Sequence, residues 1–316
     1  MIKKTRSFIC GIKGIKLNTS EIKFLKKYRP WGVILFSRNI RSIKQTVNLT
    51  NSIKEIFKDN HYPILIDEEG GKVSRLNNFI NSSLFSARFF GNLYKKNKKQ
   101  FFLYHEVYIK QISYLLNLLG INLNSVPVLD LYRDNSHKVI GSRSYSKNPK
   151  IASNIGNYCI SVFKKNKIGT IIKHIPGHGL AKVDSHKKLP YVKNSLSYLN
   201  KHDFFPFKKK DALFAMTAHI IYQKIDPHNC ATLSKKIINL IRHKIGFKNL
   251  IISDDLSMKA LKGPISQNTK KAFTAGCNLV LHCNGNYKEM CNVAENSPFV
   301  NSFIIKKTSQ FKEIIS

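Results

Sequence analysis

Five short apolar runs of this chain end in a charged residue or a histidine. Asp67 follows Pro63-Ile64-Leu65-Ile66, and Asp130 follows Val126-Pro127-Val128-Leu129. Lys173-His174 follow Gly169-Thr170-Ile171-Ile172, His219 follows Ala215-Met216-Thr217-Ala218, and Asp254-Asp255 follow Leu250-Ile251-Ile252-Ser253. A charge placed directly after a buried apolar run is costly unless it is paired or used. Several such ends on one rim point to a polar catalytic pocket. The set offers carboxylates, histidines, lysine and arginine, with no serine elbow, no P-loop and no GxGxxG. Glycoside hydrolysis fits these groups: one anion attacks or stabilises an oxocarbenium-like centre while a second group protonates the leaving oxygen. His174, His178, Asp184 and His186 lie in one stretch and raise a metal hydrolase as the competing chemistry. Pro176, Gly177 and Gly179 interrupt that stretch, so His174 and His178 do not share a helix face, and no metal or cofactor is expected.

The elements that would carry these residues are visible as eight β-branched apolar runs. They cover 7–11, 32–36, 63–67, 123–130, 169–174, 213–219, 250–254 and 279–283. Runs of this length and composition read as buried parallel strands. The intervals leave room for helices, among them 20–27, 43–57, 101–119, 151–165, 234–245 and 268–275. Asn18-Thr19-Ser20-Glu21 and Ser234 supply helix-start signals. The expected fold is a single (β/α)8 barrel over residues 1–316, with an open doubly wound sheet as the rival. The interval 68–122 is long enough for one extra segment before the helix at 101–119.

Composition narrows the function classes. The chain of 316 residues is 42% apolar and 22% charged, which suits a globular core and excludes the disorder signature. No apolar run approaches the ~20 residues of a membrane span. The basic start Met1–Arg6 precedes too short an apolar run for a signal segment, so a cytoplasmic protein without membrane insertion is expected. The six cysteines form no CxxC pair and are expected to be reduced thiols. The net charge of +35 suggests nucleic acid at first. Yet only nine of the 53 basic residues are Arg, and the Lys are spread along the chain in short clusters such as 95–99 and 208–210. No specific nucleic-acid partner is expected. With only 18 acids, each acid inside a motif is informative.

The stretch Lys173-His174-Ile175-Pro176-Gly177-His178-Gly179, followed by Asp184-Ser185-His186, resembles the Lys-His-x-Pro-Gly-His-Gly…Asp-Ser-His motif of family 3 glycoside hydrolases. The resemblance is greatest to their single-domain β-N-acetylhexosaminidases. Ile66-Asp67-Glu68-Glu69-Gly70-Gly71-Lys72-Val73 resembles the family's Asp-x-Glu-Gly-Gly-Arg-Val segment, and Arg75 follows as in the family. Pro127–Asp130, Ile140–Ser146, Met216–His219 with Ala231–Ser234, and Ile252–Met258 match in the same order. The likeness covers nearly the whole chain and implies a (β/α)8 barrel.

By this resemblance Asp254 is the nucleophile of a retaining reaction, and Asp255 its structural neighbour. His186 is the general acid/base and Asp184 orients it. A carboxylate on one imidazole nitrogen fixes the tautomer and raises the basicity of the ring. Asp67, Arg75, Arg143, Lys173 and His174 match the residues that hold the terminal sugar. His219 and Met216 are possible further contacts, Asp130 and His178 are expected to shape the rim and its loop, and Gly70 and Gly71 to permit a tight turn. Two positions depart from the pattern: Lys72 stands where the family has Arg, and Asn278 where an acid is common. The implied function is removal of terminal N-acetylglucosamine from peptidoglycan fragments (N-acetylglucosaminyl muropeptides) in cell-wall recycling. The alternatives are a β-glucosidase, a phosphorylase using phosphate in place of water, and a non-enzymatic polyanion-binding barrel. Oligomeric state is not legible.

Overall fold

A computed structural model describes residues 4–134, 140–181, 183 and 189–316. Its centre is a closed barrel of eight parallel strands. In chain order the first five are β1 (Arg6–Gly11), β2 (Pro30–Leu35), β3 (Ile64–Ile66), β4 (Leu123–Asn124) and β5 (Gly169–Ile175). After β6 (Tyr191–Val192) come β7 (Phe214–Thr217), β8 (Ile221–Tyr222), β9 (Leu250–Asp255) and β10 (Leu279–His282). The barrel order is β1-β10-β9-β7-β5-β4-β3-β2, while β6 and β8 pair apart as a small parallel ribbon. All eight expected runs are barrel strands. The run at 123–130 is corrected in extent: its regular pairing stops at Asn124, where Val126 N–H turns back onto the Asn124 carbonyl and the register slips by one residue before Val128 rejoins Lys173. Beyond it the chain still follows β5, with Leu129 N–H on the Lys173 carbonyl and Lys173 N–H on the Pro127 carbonyl.

The connections are helical. α1 (Thr19–Tyr28) begins with a capping box in which Asn18 accepts from Glu21 N–H and Glu21 accepts from Asn18 N–H. α2 (Ile43–Phe57) buries Thr46, Leu49, Thr50, Ile53 and Phe57, the one-sided spacing of a helix lying on a sheet. The extra segment before the long helix is α3 (Ala87–Lys96), which passes through Asn97 into α4 (Lys98–Leu118). α5 (Pro149–Lys165) and the short α6 (Leu196–Lys201) follow. α7 (Lys235–Leu240) continues as a single wider turn to Ile245 and stops at Gly246, whose φ of 83° suits glycine. α8 (Ile265–Ala275), α9 (Tyr287–Glu295) and α10 (Ser302–Ile315) complete the ring.

Two apolar layers result from strands buried on both faces. Outward residues such as Phe8, Val33, Ile64 and Ile172 pack under the helices. Inward residues such as Ile9, Ile34, Leu65, Ile171 and Ile252 fill the barrel. Its N-terminal end is closed by Trp31, Phe214 and Phe311, with ring centroids 5.4 to 6.4 Å apart. Phe311 comes from α10, so the last helix stoppers the barrel and leaves the other end for the polar residues.

Candidate active site

The closed order sets the C-terminal ends of β3, β4, β5, β7 and β9 side by side. A cavity of about 260 Å³ opens there, lined by Asp67, Glu69, Arg75, Arg143, Lys173, His174, His178, Met216, Asp254 and Asp255. Larger depressions of about 690 Å³ between α1 and α2, and about 970 Å³ at the starts of α1 and α9, gather no comparable set of paired charges. The rim cavity is therefore the candidate site, in the position usual for this fold.

One side of it is a buried ionic network. The Lys173 Nζ, almost without exposure, donates to Asp67 Oδ1 at 2.9 Å and Ser125 Oγ at 2.7 Å, and lies 2.6 Å from Glu69 Oε1. Ser125 also donates its hydroxyl to Asp67. Arg143 forks onto Glu69, Nε to Oε2 at 2.7 Å and Nη2 to Oε1 at 2.8 Å. Arg75 Nη2 stands 3.8 Å from Asp67 Oδ2. Burial pushes the Asp67 carboxyl up, but Lys173 and Arg75 outweigh it and hold it well below the usual carboxylate range. Glu69 behaves alike: burial opposes ionisation, and Arg143 with Lys173 brings it down to about 2. For Lys173 burial favours the neutral amine, and Asp67 and Glu69 reverse that, raising its pKa.

The loop that returns Arg75 to Asp67 is itself tethered. Glu68 is buried and accepts from Arg75 N–H at 2.6 Å, Leu76 N–H at 3.0 Å and Ser74 Oγ at 3.1 Å. Burial, against these hydrogen bonds, raises its pKa. Gly70 and Gly71 turn the chain at φ of 81° and 61°, and a Cβ on Gly70 would collide with the Tyr108 hydroxyl and the Phe85 carbonyl. The expected turn is present for that reason.

At the next strand end the fully buried Asp130 carboxylate accepts from the backbone N–H of His174 (3.2 Å) and of His178 (2.6 Å). It also meets His174 Nδ1 at 2.6 Å, which leaves Nε2 of that ring for the cavity. Asp130 is thus an anchor, as expected. Burial, and secondarily His174, lowers the His178 pKa to about 4, so its imidazole is neutral at ordinary pH. The turn at Gly177 is braced from behind, since Tyr222 donates to its carbonyl and Asp203 packs against Gly177 and Gly179. Asp203 pairs with Arg133 at 3.2 Å.

Asp254 lies across the cavity at the end of β9. Its N–H donates to Thr217 Oγ1 at 3.3 Å, and its Oδ1 accepts from Asp255 N–H at 2.8 Å. Asp255 engages Ser257 and the Cys283 N–H, the supporting part expected of it. Met216 lines the cavity. His219 does not: its Nδ1 meets Thr232 Oγ1 at 2.7 Å and its Nε2 donates to the Asp255 carbonyl at 3.0 Å. Thr232 in turn meets Thr217 at 2.8 Å, so His219 braces the strand end that presents Asp254. Asp184 and His186 lie outside the described residues.

Glu69 and Ser125, which have no role in the sequence reading, join Asp67, Lys173 and Arg143 into one unit. A signal for Glu69 was present: three consecutive acids, 67–69, in a chain with so few, directly before Gly-Gly. Ser125 carried none. Lys72 is exposed and not among the cavity-lining residues. Asn278 lies one residue before β10, where its Oδ1 accepts from Arg242 Nη2 at 2.7 Å and Ile251 N–H at 2.8 Å.

A closed parallel barrel with paired carboxylates and cations at its C-terminal mouth has the form of a barrel enzyme. Residues 5–309 match the Glycosyl hydrolase family 3 N terminal domain, and the chain belongs to that family. It is 34% identical over 282 residues to a beta-hexosaminidase of Alkalilimnicola ehrlichii, covering 87% of this chain and 79% of that protein. NagZ from Neisseria gonorrhoeae superposes with a TM-score of 0.87 at 28% identity, over 99% of this chain and 90% of that one. The same protein in complex with N-trifluoroacetyl-D-glucosamine gives a TM-score of 0.85 at 29% identity, over 98% and 90% of the two chains.

Proposed function

We propose that this chain is a retaining β-N-acetylglucosaminidase that removes terminal N-acetylglucosamine from peptidoglycan-derived muropeptides. The observation that carries the reading is one cavity of single-sugar scale with Asp254 on one wall and the Asp67–Lys173–Glu69–Arg143 network on the other. In this reading Asp67 accepts from sugar hydroxyls while Lys173, Arg143, Arg75 and His174 Nε2 supply the remaining polar contacts. The network is already ionised and hydrogen-bonded before substrate arrives, so little reorganisation accompanies binding.

An Asp254 carboxylate oxygen attacks the anomeric carbon as the bond to the leaving oxygen breaks. His186, oriented by Asp184, gives that oxygen its proton. A water then attacks the same carbon, loses its proton to His186 and frees Asp254, with net retention. The parts given to His186 and Asp184 rest on the sequence motif, since both lie outside the described residues. No helix among the described residues is long and apolar enough to cross a membrane. A cytoplasmic place of action is part of the proposal and is tested by cell fractionation.

The deciding experiment is chromophore release from aryl β-N-acetylglucosaminide, with the aryl β-glucoside and phosphate-buffered reactions in parallel. Hydrolysis of the first, abolished in Asp254→Ala, is expected. No turnover by the pure protein, preference for the glucoside, or formation of sugar phosphate would each replace this reading.

A further inference from the structure

The Lys-rich cluster at 95–99 takes no part in the site, and the structure places it on a distinctive surface. Lys95, Lys96, Lys98 and Lys99 are all exposed at the knuckle where α3 passes into α4. Immediately after it, Phe102, Leu103 and Tyr104 are 41%, 59% and 49% exposed. The exposed apolar surface then continues down α4 through Val107, Tyr114 and Leu118. At 100° per residue Leu103, Val107, Tyr114 and Leu118 fall within about 60° of one another, a stripe about 22 Å long. The opposite face of α4 is buried by Phe101, His105, Ile109, Ile112 and Leu116. The outer face of α4 therefore carries a narrow apolar stripe, flanked by the exposed Lys99, Lys110, Gln111 and Asn117.

Charge identifies the partner. Over α3 and α4 there are six basic residues (Arg88, Lys95, Lys96, Lys98, Lys99, Lys110) and one acid, Glu106, which Lys110 neutralises at 2.8 Å. α5, packed beside α4, adds Lys150 and Lys165 and no acid, while its Lys164 is paired with Asp211 at 2.9 Å. A second copy would bring two such knuckles together in a chain of net charge +35, which opposes self-association. Nucleic acid would satisfy the lysines but leave the apolar stripe in water. An anionic lipid surface satisfies both, taking the ammonium groups at its headgroups and the stripe at its acyl boundary.

We propose that the α3–α4 knuckle and the outer face of α4 dock this protein peripherally on anionic bilayers.

The test is co-sedimentation of the full chain with phosphatidylglycerol–phosphatidylcholine vesicles and with phosphatidylcholine alone. Binding to the anionic vesicles, weakened by salt and at least tenfold stronger than to the neutral ones, is expected. Replacing Lys95, Lys96, Lys98 and Lys99 by Gln should weaken it on the order of a hundredfold. Replacing Leu103, Val107 and Tyr114 by Ser should weaken it at least about tenfold. Tyr114→Ser alone, at a position 66% exposed, serves if the triple variant fails to fold. A control replaces Lys235, Lys236, Lys270 and Lys271 by Gln, on α7 and α8 across the barrel, and should change binding less than about threefold. Aryl-glycosidase turnover in solution should be unchanged in every variant. Equal loss in the control set, no loss in the stripe variant, equal binding to neutral vesicles, or tighter binding to single-stranded RNA than to lipid would overturn the proposal. So would a dimer of the native chain that the stripe variant dissociates.

Discussion

The two ends of the barrel are made from the same strands and are held together in opposite ways. At the N-terminal end Trp31, Phe214 and Phe311 close the interior by apolar packing, each buried. At the C-terminal end Lys173 and Glu69 are nearly withdrawn from water, Asp67 and Arg143 less so, and all four are stabilised in pairs. Apolar packing is additive and non-directional, so losing one ring weakens it without changing what the rest can do. Paired buried charges behave differently: removing one partner leaves another unsatisfied, and the loss is felt in both folding and chemistry.

Substitutions can break this contrast. Asp254→Ala should lower kcat/KM for aryl β-N-acetylglucosaminide by roughly 10⁴-fold, as loss of a nucleophile does, while thermal unfolding shifts little. Comparable activity in the variant would remove Asp254 from the reaction. Lys173→Met should act on both properties at once, costing about 3–5 kcal/mol in stability because Asp67 and Glu69 then lose the buried ammonium between them and keep only Arg75 and Arg143. Its activity should fall roughly 10²–10³-fold, measured at a temperature where the variant stays folded. Phe311→Ala, at the other end, should cost a similar 3–5 kcal/mol in urea unfolding and leave kcat/KM at its native value. A clear drop in kcat/KM there would show the two ends to be coupled.

Acid sharpens the same comparison. The folded pKa of Glu69, about 2, lies below its ordinary 4.5, and that of Asp67 is also depressed. Their contribution is therefore complete above about pH 5 and is lost as pH falls toward 2. Glu69→Gln should flatten that acid-side loss in urea midpoints, by about 3 kcal/mol at most. An unchanged pH profile would contradict the assignment. The smallest effect is expected from Asn278→Asp, which restores a charge beside Arg242 at the closed end. It should raise stability by less than about 1 kcal/mol and leave turnover alone.

Much of this was legible in the sequence because strand burial and turn chemistry are local. The eight apolar runs, the capping residues Asn18 and Ser234, and the Gly70-Gly71 turn follow from side-chain type over a few positions. The helix α3 was visible only as surplus length. The ribbon of β6 with β8 gave no signal, since two-residue strands have no period to detect. The early end of regular β4 pairing depends on a register slip against β5, which the sequence of one strand does not name. Of the site, the acids at the strand ends were legible, whereas His219, one of two possible further contacts by sequence, hydrogen-bonds Thr232 and the Asp255 carbonyl at the end of β9.

By itself, then, the sequence determined the order of strands and helices, the scarcity of acids and the rim they would occupy. Only the tertiary structure decided the pairings: Lys173 with Asp67 across 106 positions, Arg143 with Glu69 across 74, and Ser125 between Lys173 and Asp67. The reason is geometric. A strand's own composition fixes that its end is polar, but which polar groups meet depends on which strands are neighbours and in what register, and closure of the barrel settles both.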